Sequence, residues 1–175
     1  KDDVFCHCYH GRGNTLLTDN GKVKSAMFDA KKRGVIFDSC NGMGNFSINV
    51  CRAALEQNFY PDIISSDLTA DKVNFSPYAK SLPFVMSKYL SLGMPLADII
   101  HAVTTVPVRL MKMSGKIGQL QNGMQADVTI FKTENRKHVH LDFVQVPYEA
   151  DKLIVPVMTI KNGFIDFCSA DFALY

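Results

Sequence analysis

Over the first two thirds of the chain, short apolar or aromatic runs alternate with longer stretches of helical periodicity. Residues 3–9, Asp-Val-Phe-Cys-His-Cys-Tyr, predict a strand. Gly11, Gly13 and the Asn20-Gly21 pair mark the loop that follows. Residues 25–33 predict a short helix stopped by Gly34, a residue suited to a left-handed position after the last turn. Val35, Ile36 and Phe37 form a continuous apolar run, as expected of a strand covered on both faces.

The unit then repeats. Gly42, Gly44 and Asn45 form a loop, and residues 46–58 predict a helix. Phe46, Val50 and Ala54 lie four apart, as do Cys51, Leu55 and Phe59, which makes one apolar stripe. After a Pro61-Asp62 turn, residues 63–67 predict a third strand, and a long loop runs to Pro77. A helix over 82–92 ends at Gly93, a second is marked by Leu96, Ile99, Ile100 and Val103, and Pro107 begins a short third one.

Strands alternating with helices imply a parallel α/β arrangement. His7, Asn41 and Asp67 fall at or just beyond the C-terminal ends of the three strands, the edge at which such folds place their chemistry. After Gly115 the texture changes. Residues 128–131, 138–146, 153–160 and 164–167 read as strands separated by turn signals such as Asn162-Gly163, an antiparallel β segment. The expected organisation is residues 1–114 as an α/β region carrying the chemistry and 115–175 as a β region.

Composition narrows the function classes. The 175 residues carry 19 basic and 17 acidic side chains for a formal charge of +2, which gives no electrostatic case for nucleic acid. Apolar residues make up 47%, too many for a disordered chain, and no uninterrupted apolar run reaches the length of a membrane helix. The five cysteines have no disulfide-framework spacing, so a reducing, cytoplasmic setting is expected. The sequence starts Lys1-Asp2-Asp3, without Met or an apolar signal segment, and the expectation is a trimmed or partial chain.

Two segments in the second half resemble the metal-dependent amidohydrolases. Residues 118–131, Gly-Gln-Leu-Gln-Asn-Gly-Met-Gln-Ala-Asp-Val-Thr-Ile-Phe, match the G-x-L-x-x-G-x-x-A-D-x-x-x-F segment that leads from the barrel of that family into its small β-sandwich. Residues 160–165, Ile-Lys-Asn-Gly-Phe-Ile, are similar to the strand that closes the sandwich. Residues 4–11, Val-Phe-Cys-His-Cys-Tyr-His-Gly, resemble barrel strand six of the dihydroorotase-like and deacetylase-like members, and residues 63–68, Ile-Ile-Ser-Ser-Asp-Leu, their strand eight.

The resemblance implies the C-terminal portion of a TIM (β/α)8 barrel, units six to eight, followed by sandwich strands. It implies that His7 and Asp67 bind a divalent metal, zinc by preference, with one or two ions in the intact enzyme. Asp67 would also shuttle the catalytic proton, while His10 and Asn41 would lie along a small-molecule substrate. Asn41 stands where relatives tend to carry a His. No segment corresponds to the strands that supply the family's other four ligands. A complete barrel needs about 250 residues, so pairing with a missing N-terminal half is expected and the chain alone is expected to be inactive.

Each residue also has a plainer reading. Asp67 could be a turn or capping residue after a strand, and His7 a packed strand histidine. By period-two alternation His7 shares a strand face with Phe5 and Tyr9, and Cys6 and Cys8 share the other as buried apolar thiols. His138-Val139-His140 copies the His-x-His spacing of a metal pair. On its strand, however, Val139, Leu141 and Phe143 are expected inside, which leaves His138, His140 and Asp142 on the solvated face. His101 has no partner one helical turn away.

The expected activity is hydrolysis of an amide-like C–N bond by metal-activated hydroxide, of dihydroorotase or deacetylase type. Two alternatives stand beside it. One is a non-catalytic remnant or interaction module that dimerises through open barrel strands; the other is a purine-type deaminase. No nucleic-acid or membrane partner is expected, and a homo-oligomer is allowed.

Overall fold

The computed structural model describes residues 1–70 and 78–170. Its first half is built on three parallel segments. β1 (Val4–Phe5) pairs in parallel with β2 (Ile36–Phe37), Val4 opposite Ile36 and Phe5 opposite Phe37. On the other side of β2, Ile63 forms a single parallel bridge with Asp38, and the Ser39 and Asn41 amides continue to the Ile63 and Ser65 carbonyls at 3.0 Å each. α1 (Ser25–Lys32) connects the first two segments, and α2 (Ile48–Leu55) connects the second and third.

These strands are shorter than the apolar pattern predicts. The first stops at Phe5 because His7 takes a left-handed φ of 53°, and the third is reduced to the Ile63 bridge. The expected pairing of Cys6 and Cys8 on one buried face fails for the same reason, with Cys8 buried and Cys6 exposed.

The helices follow their signals more closely. Gly34 and Gly93 have φ of 87° and 92° just past α1 and α3 (Leu82–Ser91), where a side chain would be strained. Ser47 and Ser81 start α2 and α3 by accepting from the Val50 and Phe84 amides. α4 (Leu96–Val103) is followed at once by α5 (Thr105–Leu110), which begins two residues before Pro107. The expected long loop to Pro77 falls largely on residues 71–77, outside those described.

The second half is an antiparallel sheet of β3 (Val128–His140), β4 (Tyr148–Lys161) and β5 (Phe164–Cys168), with β4 in the middle. The two strands expected at 128–131 and 138–146 are one strand ending at His140. A register shift between Asn135 and His138 resets the alternation of faces. Val139 is therefore 38% exposed, while His140 and Asp142 are buried, the reverse of the facing expected from hydrophobicity. Pro156, which cannot donate to a ladder, sits at the other shift, opposite Phe131.

The halves share one core. Tyr9, Phe37, Phe46, Phe59 and Tyr89 are buried and meet largely edge-on, with Tyr9–Phe46 centroids 6.3 Å apart and Phe37–Phe59 5.1 Å apart. Each such ring removed from water is worth about 1.5–3 kcal/mol. Ile154 of β4 joins this cluster, and its amide donates to Ser87 Oγ of α3 at 2.8 Å. Asp142, just past β3, accepts from the Ile48 amide at 2.8 Å and so caps α2 from the opposite half. Among the described residues no helix is long and apolar enough to cross a membrane.

The segments that carry the family resemblance turn out to build this frame. Gly118 has a φ of +84°, and a Cβ there would lie 2.7 Å from Val108 Cγ2. Asp127 accepts from the Asn162 amide at 2.9 Å and from Lys161, while the Gly163 amide donates to Ala126 O at 3.0 Å. The Ala126-Asp127 pair thus clamps the Asn162-Gly163 turn between β4 and β5. Lys161 and the Asn162 amide hold the Asp127 carboxyl down at about 2.

Candidate metal centre

The C-terminal ends of the three parallel segments share a backbone device. His7, Cys40 and Asp67 have φ of 53°, 42° and 48°, so each segment ends in a left-handed residue. Non-glycine residues seldom adopt this conformation, and when surrounding contacts enforce it the site is often functional. The turns bring the His7, Cys40 and Asp67 side chains together, with their ligating atoms all within 4.8 Å of one another. All three side chains are half-buried, open enough for an ion to enter.

Asp38 organises the loop. Its carboxylate accepts from the Cys40 amide at 3.0 Å, from Ser65 Oγ at 2.7 and 2.9 Å, and from the Cys6 thiol at 3.9 Å. His7 Nδ1 lies 3.0 Å from the Cys40 carbonyl, which can only accept. Nδ1 therefore carries the proton and Nε2 keeps the lone pair, the state a metal ligand needs. Asn45 Nδ2 stands 3.5 Å from that Nε2. Burial pushes the Cys40 thiol up to about 11 against the downward pull of a Ser65 hydrogen bond. A histidine of fixed tautomer, a carboxylate and a thiol within one ion's reach form a donor set suited to a borderline divalent metal.

The other expected site residues lie differently. His10 is half-buried in the loop, its Nδ1 2.9 Å from Arg12 O, and its amide donates to His7 O at 3.0 Å. Asn41 is 1% exposed and turned into the protein. Its Nδ2 donates to Ser39 Oγ at 2.9 Å and Ser65 O at 3.0 Å, and its Oδ1 accepts from Lys88 Nζ at 3.1 Å. To touch a substrate Asn41 would have to give up that network; in this structure it braces the strand ends. Lys88, fully buried, lies 4.1 Å over the Phe46 ring, and burial lowers its ammonium to about 8 although Cys51 and Asp142 pull upward.

Cys40 and Lys88 are the residues that sequence reasoning passed over. The signal for Lys88 was available, as the one charged residue in a mostly apolar helix (Leu-Pro-Phe-Val-Met-Ser-Lys-Tyr-Leu-Ser). That for Cys40 was not, because its position depends on a left-handed φ that no side-chain pattern announces.

His138 and His140 do form a pair, with their Nε2 atoms 3.1 Å apart, but inside rather than on a solvated face. Phe84 of α3 covers His140 at 4.3 Å between ring centroids. Burial drives the His140 imidazole far below its usual range, with Lys88 and His138 adding to the effect. No third histidine, cysteine or carboxylate joins them among the described residues. His101 is exposed on α4, in the wall of a mostly apolar groove of about 760 Å³ between the helices and the sheet.

Comparison with known proteins agrees with this frame. Residues 86–165 match the profile of the Amidohydrolase family. A deacetylase of Enterococcus faecalis is 30% identical over 166 residues, which cover 94% of this chain and 44% of that protein. A crystal structure of an adenine deaminase superposes with a TM-score of 0.89 at 29% identity, covering 97% of this chain and 45% of the other. A dihydroorotase structure gives 0.81 at 26% identity over 96% and 43%. The chain belongs to the amidohydrolase superfamily. It spans less than half the length of these relatives.

Proposed function

We propose that this chain is the C-terminal part of a metal-dependent hydrolase of amide-like C–N bonds, supplying barrel units six to eight and strands of the β-sandwich. The observation that carries the reading is the meeting of His7 and Asp67 at the C-terminal edge of the parallel segments, within ligating distance of one ion. The names of the relatives support it, since deacetylase, adenine deaminase and dihydroorotase all denote attack on carbon–nitrogen bonds. A divalent ion held by His7 and Asp67 would supply a Lewis acid that polarises the scissile group and acidifies water.

The side chains around it have distinct tasks. His7 holds its lone pair toward the site through the bond from Nδ1 to Cys40 O. Asp67 accepts the proton of the attacking water and returns it to the leaving nitrogen. Asn41 and Asp38 hold the loop that carries Cys40, and His10 stands on the adjacent turn as a substrate contact. The likeness to the adenine deaminase favours a second substrate class, the aminopurines, on which the same residues would perform the same proton transfer.

The test is a zinc-supplemented assay of the enzyme containing this chain against acetylated amines, cyclic amides and aminopurines, for wild type and Asp67→Asn. Turnover of one class that is lost in the variant, with its melting transition retained, supports the proposal. Unchanged turnover in Asp67→Asn overturns it.

A further inference from the structure

We propose that Cys40 is a thiolate ligand of the ion held by His7 and Asp67. The site would then be a His–Cys–Asp centre that prefers thiophilic divalent ions such as Zn²⁺ and Co²⁺ to Mg²⁺. This rests on the metal site proposed above and adds to it a donor and a selectivity.

Three features of the geometry point to the sulfur. The first is reach. With Zn–S near 2.3 Å and Zn–N near 2.0–2.1 Å, tetrahedral neighbours sit about 3.5 Å apart. Donors already within 4.8 Å of one another close that gap by small side-chain rotations. The second is orientation. The Cys40 amide is held by Asp38 Oδ1 at 3.0 Å, and its carbonyl accepts from the Gly42 amide and the His7 ring at 3.0 Å each. Both peptide groups flanking the thiol are therefore tied, and one of the ties is to a fellow ligand.

The third is competition for the sulfur. Cys6, Asp38 and Cys40 form a second grouping that shares the Cys40 thiol. Both Asp38 oxygens already accept from Ser65 Oγ, and Oδ1 also serves the Cys40 amide, while Cys6 lies exposed. The His7–Asp67 side has the pre-set imidazole, so it claims the thiol. Mg²⁺ binds oxygen donors in octahedral geometry and gains little from imidazole and sulfur, whereas Zn²⁺ and Co²⁺ favour both.

The decisive experiment titrates the metal-free enzyme containing this chain with Co²⁺ and follows the near-ultraviolet thiolate-to-cobalt charge-transfer band. Wild type, Cys40→Ser, Cys40→Gly, Cys6→Ser and His7→Ala are compared. Cys40→Gly guards against misfolding, because glycine takes a φ of 42° without strain. The expected result is saturable Co²⁺ binding with a thiolate band that vanishes in both Cys40 variants and persists in Cys6→Ser. Affinity should fall at least about tenfold without the sulfur.

A band that survives in the Cys40 variants, or disappears in Cys6→Ser instead, overturns the proposal. Saturable Co²⁺ binding that shows no thiolate band in wild type but is lost in His7→Ala overturns the thiolate ligand and leaves the His7–Asp67 site standing. Absence of saturable binding in wild type overturns both.

Discussion

Two places in this molecule bring histidines to where a metal could be imagined, and they differ in almost every physical respect. At 138–140 the spacing matches a metal pair, yet the rings are packed under Phe84, one nitrogen serves the other, and no third donor joins among the described residues. At the strand ends the donors come from residues 7, 40 and 67, with no local motif. They converge because three parallel segments end in left-handed turns at the same edge. Local spacing tells which side chains are neighbours on an element; a site needs donors from several elements and an opening for the ion.

The sharpest way to break this comparison is metal binding itself. Asp67→Ala should lower zinc affinity by at least about 100-fold, beyond the loss seen for outer-shell residues, while His138→Ala leaves it unchanged. Isothermal titration of both variants measures this, and the reverse order would exchange the roles of the two places.

The buried side should respond to protons instead. Lys88 has a folded value near 8 against an ordinary 10.5, so between those pH values the unfolded chain binds more protons and stability rises with pH. This contribution amounts to about 3 kcal/mol across the window. Lys88→Met should remove it, read as the wild-type-minus-variant difference in urea unfolding at pH 7.5 and 10. A pH-independent difference would show that burial does not depress the Lys88 ammonium.

His140 has the same sign at lower pH. Its imidazole stays neutral in the fold while the unfolded residue takes a proton below 6.5, so stability falls as the solution is acidified. Between pH 6.5 and 5 the loss should be about 2 kcal/mol, absent in His140→Phe. Equal acid sensitivity in the two proteins would mean that His140 is protonated inside.

The smallest effect concerns the link between the halves. Asp142→Asn replaces a carboxylate that accepts from the Ile48 and Val144 amides, and should cost about 1.5 kcal/mol in the same unfolding assay.

Much of the helical frame was legible because its punctuation is chemical: Gly34 and Gly93 stop helices, and Ser47 and Ser81 start them. The meeting of His7 and Asp67 was legible through their place at strand ends and the family resemblance. Strand lengths were not, since the turns that shorten them use His, Cys and Asp in a conformation usually left to glycine. The facing of residues 138–142 was misjudged because the register shift after Asn135 exchanges inside and outside, and side-chain alternation carries no trace of it. The burial of Asp142 was missed for a related reason: its partner, the Ile48 amide, lies in another element.

The Asp142–Ile48 bond joins residues 94 positions apart and closes much of the chain into one loop. The first turn of α2 therefore cannot fray by itself, since releasing the Ile48 amide requires the sheet half to withdraw its carboxylate. In deuterated solvent that amide should exchange as slowly as the slowest core amides, making a single peptide N–H a gauge of whether the two halves unfold together.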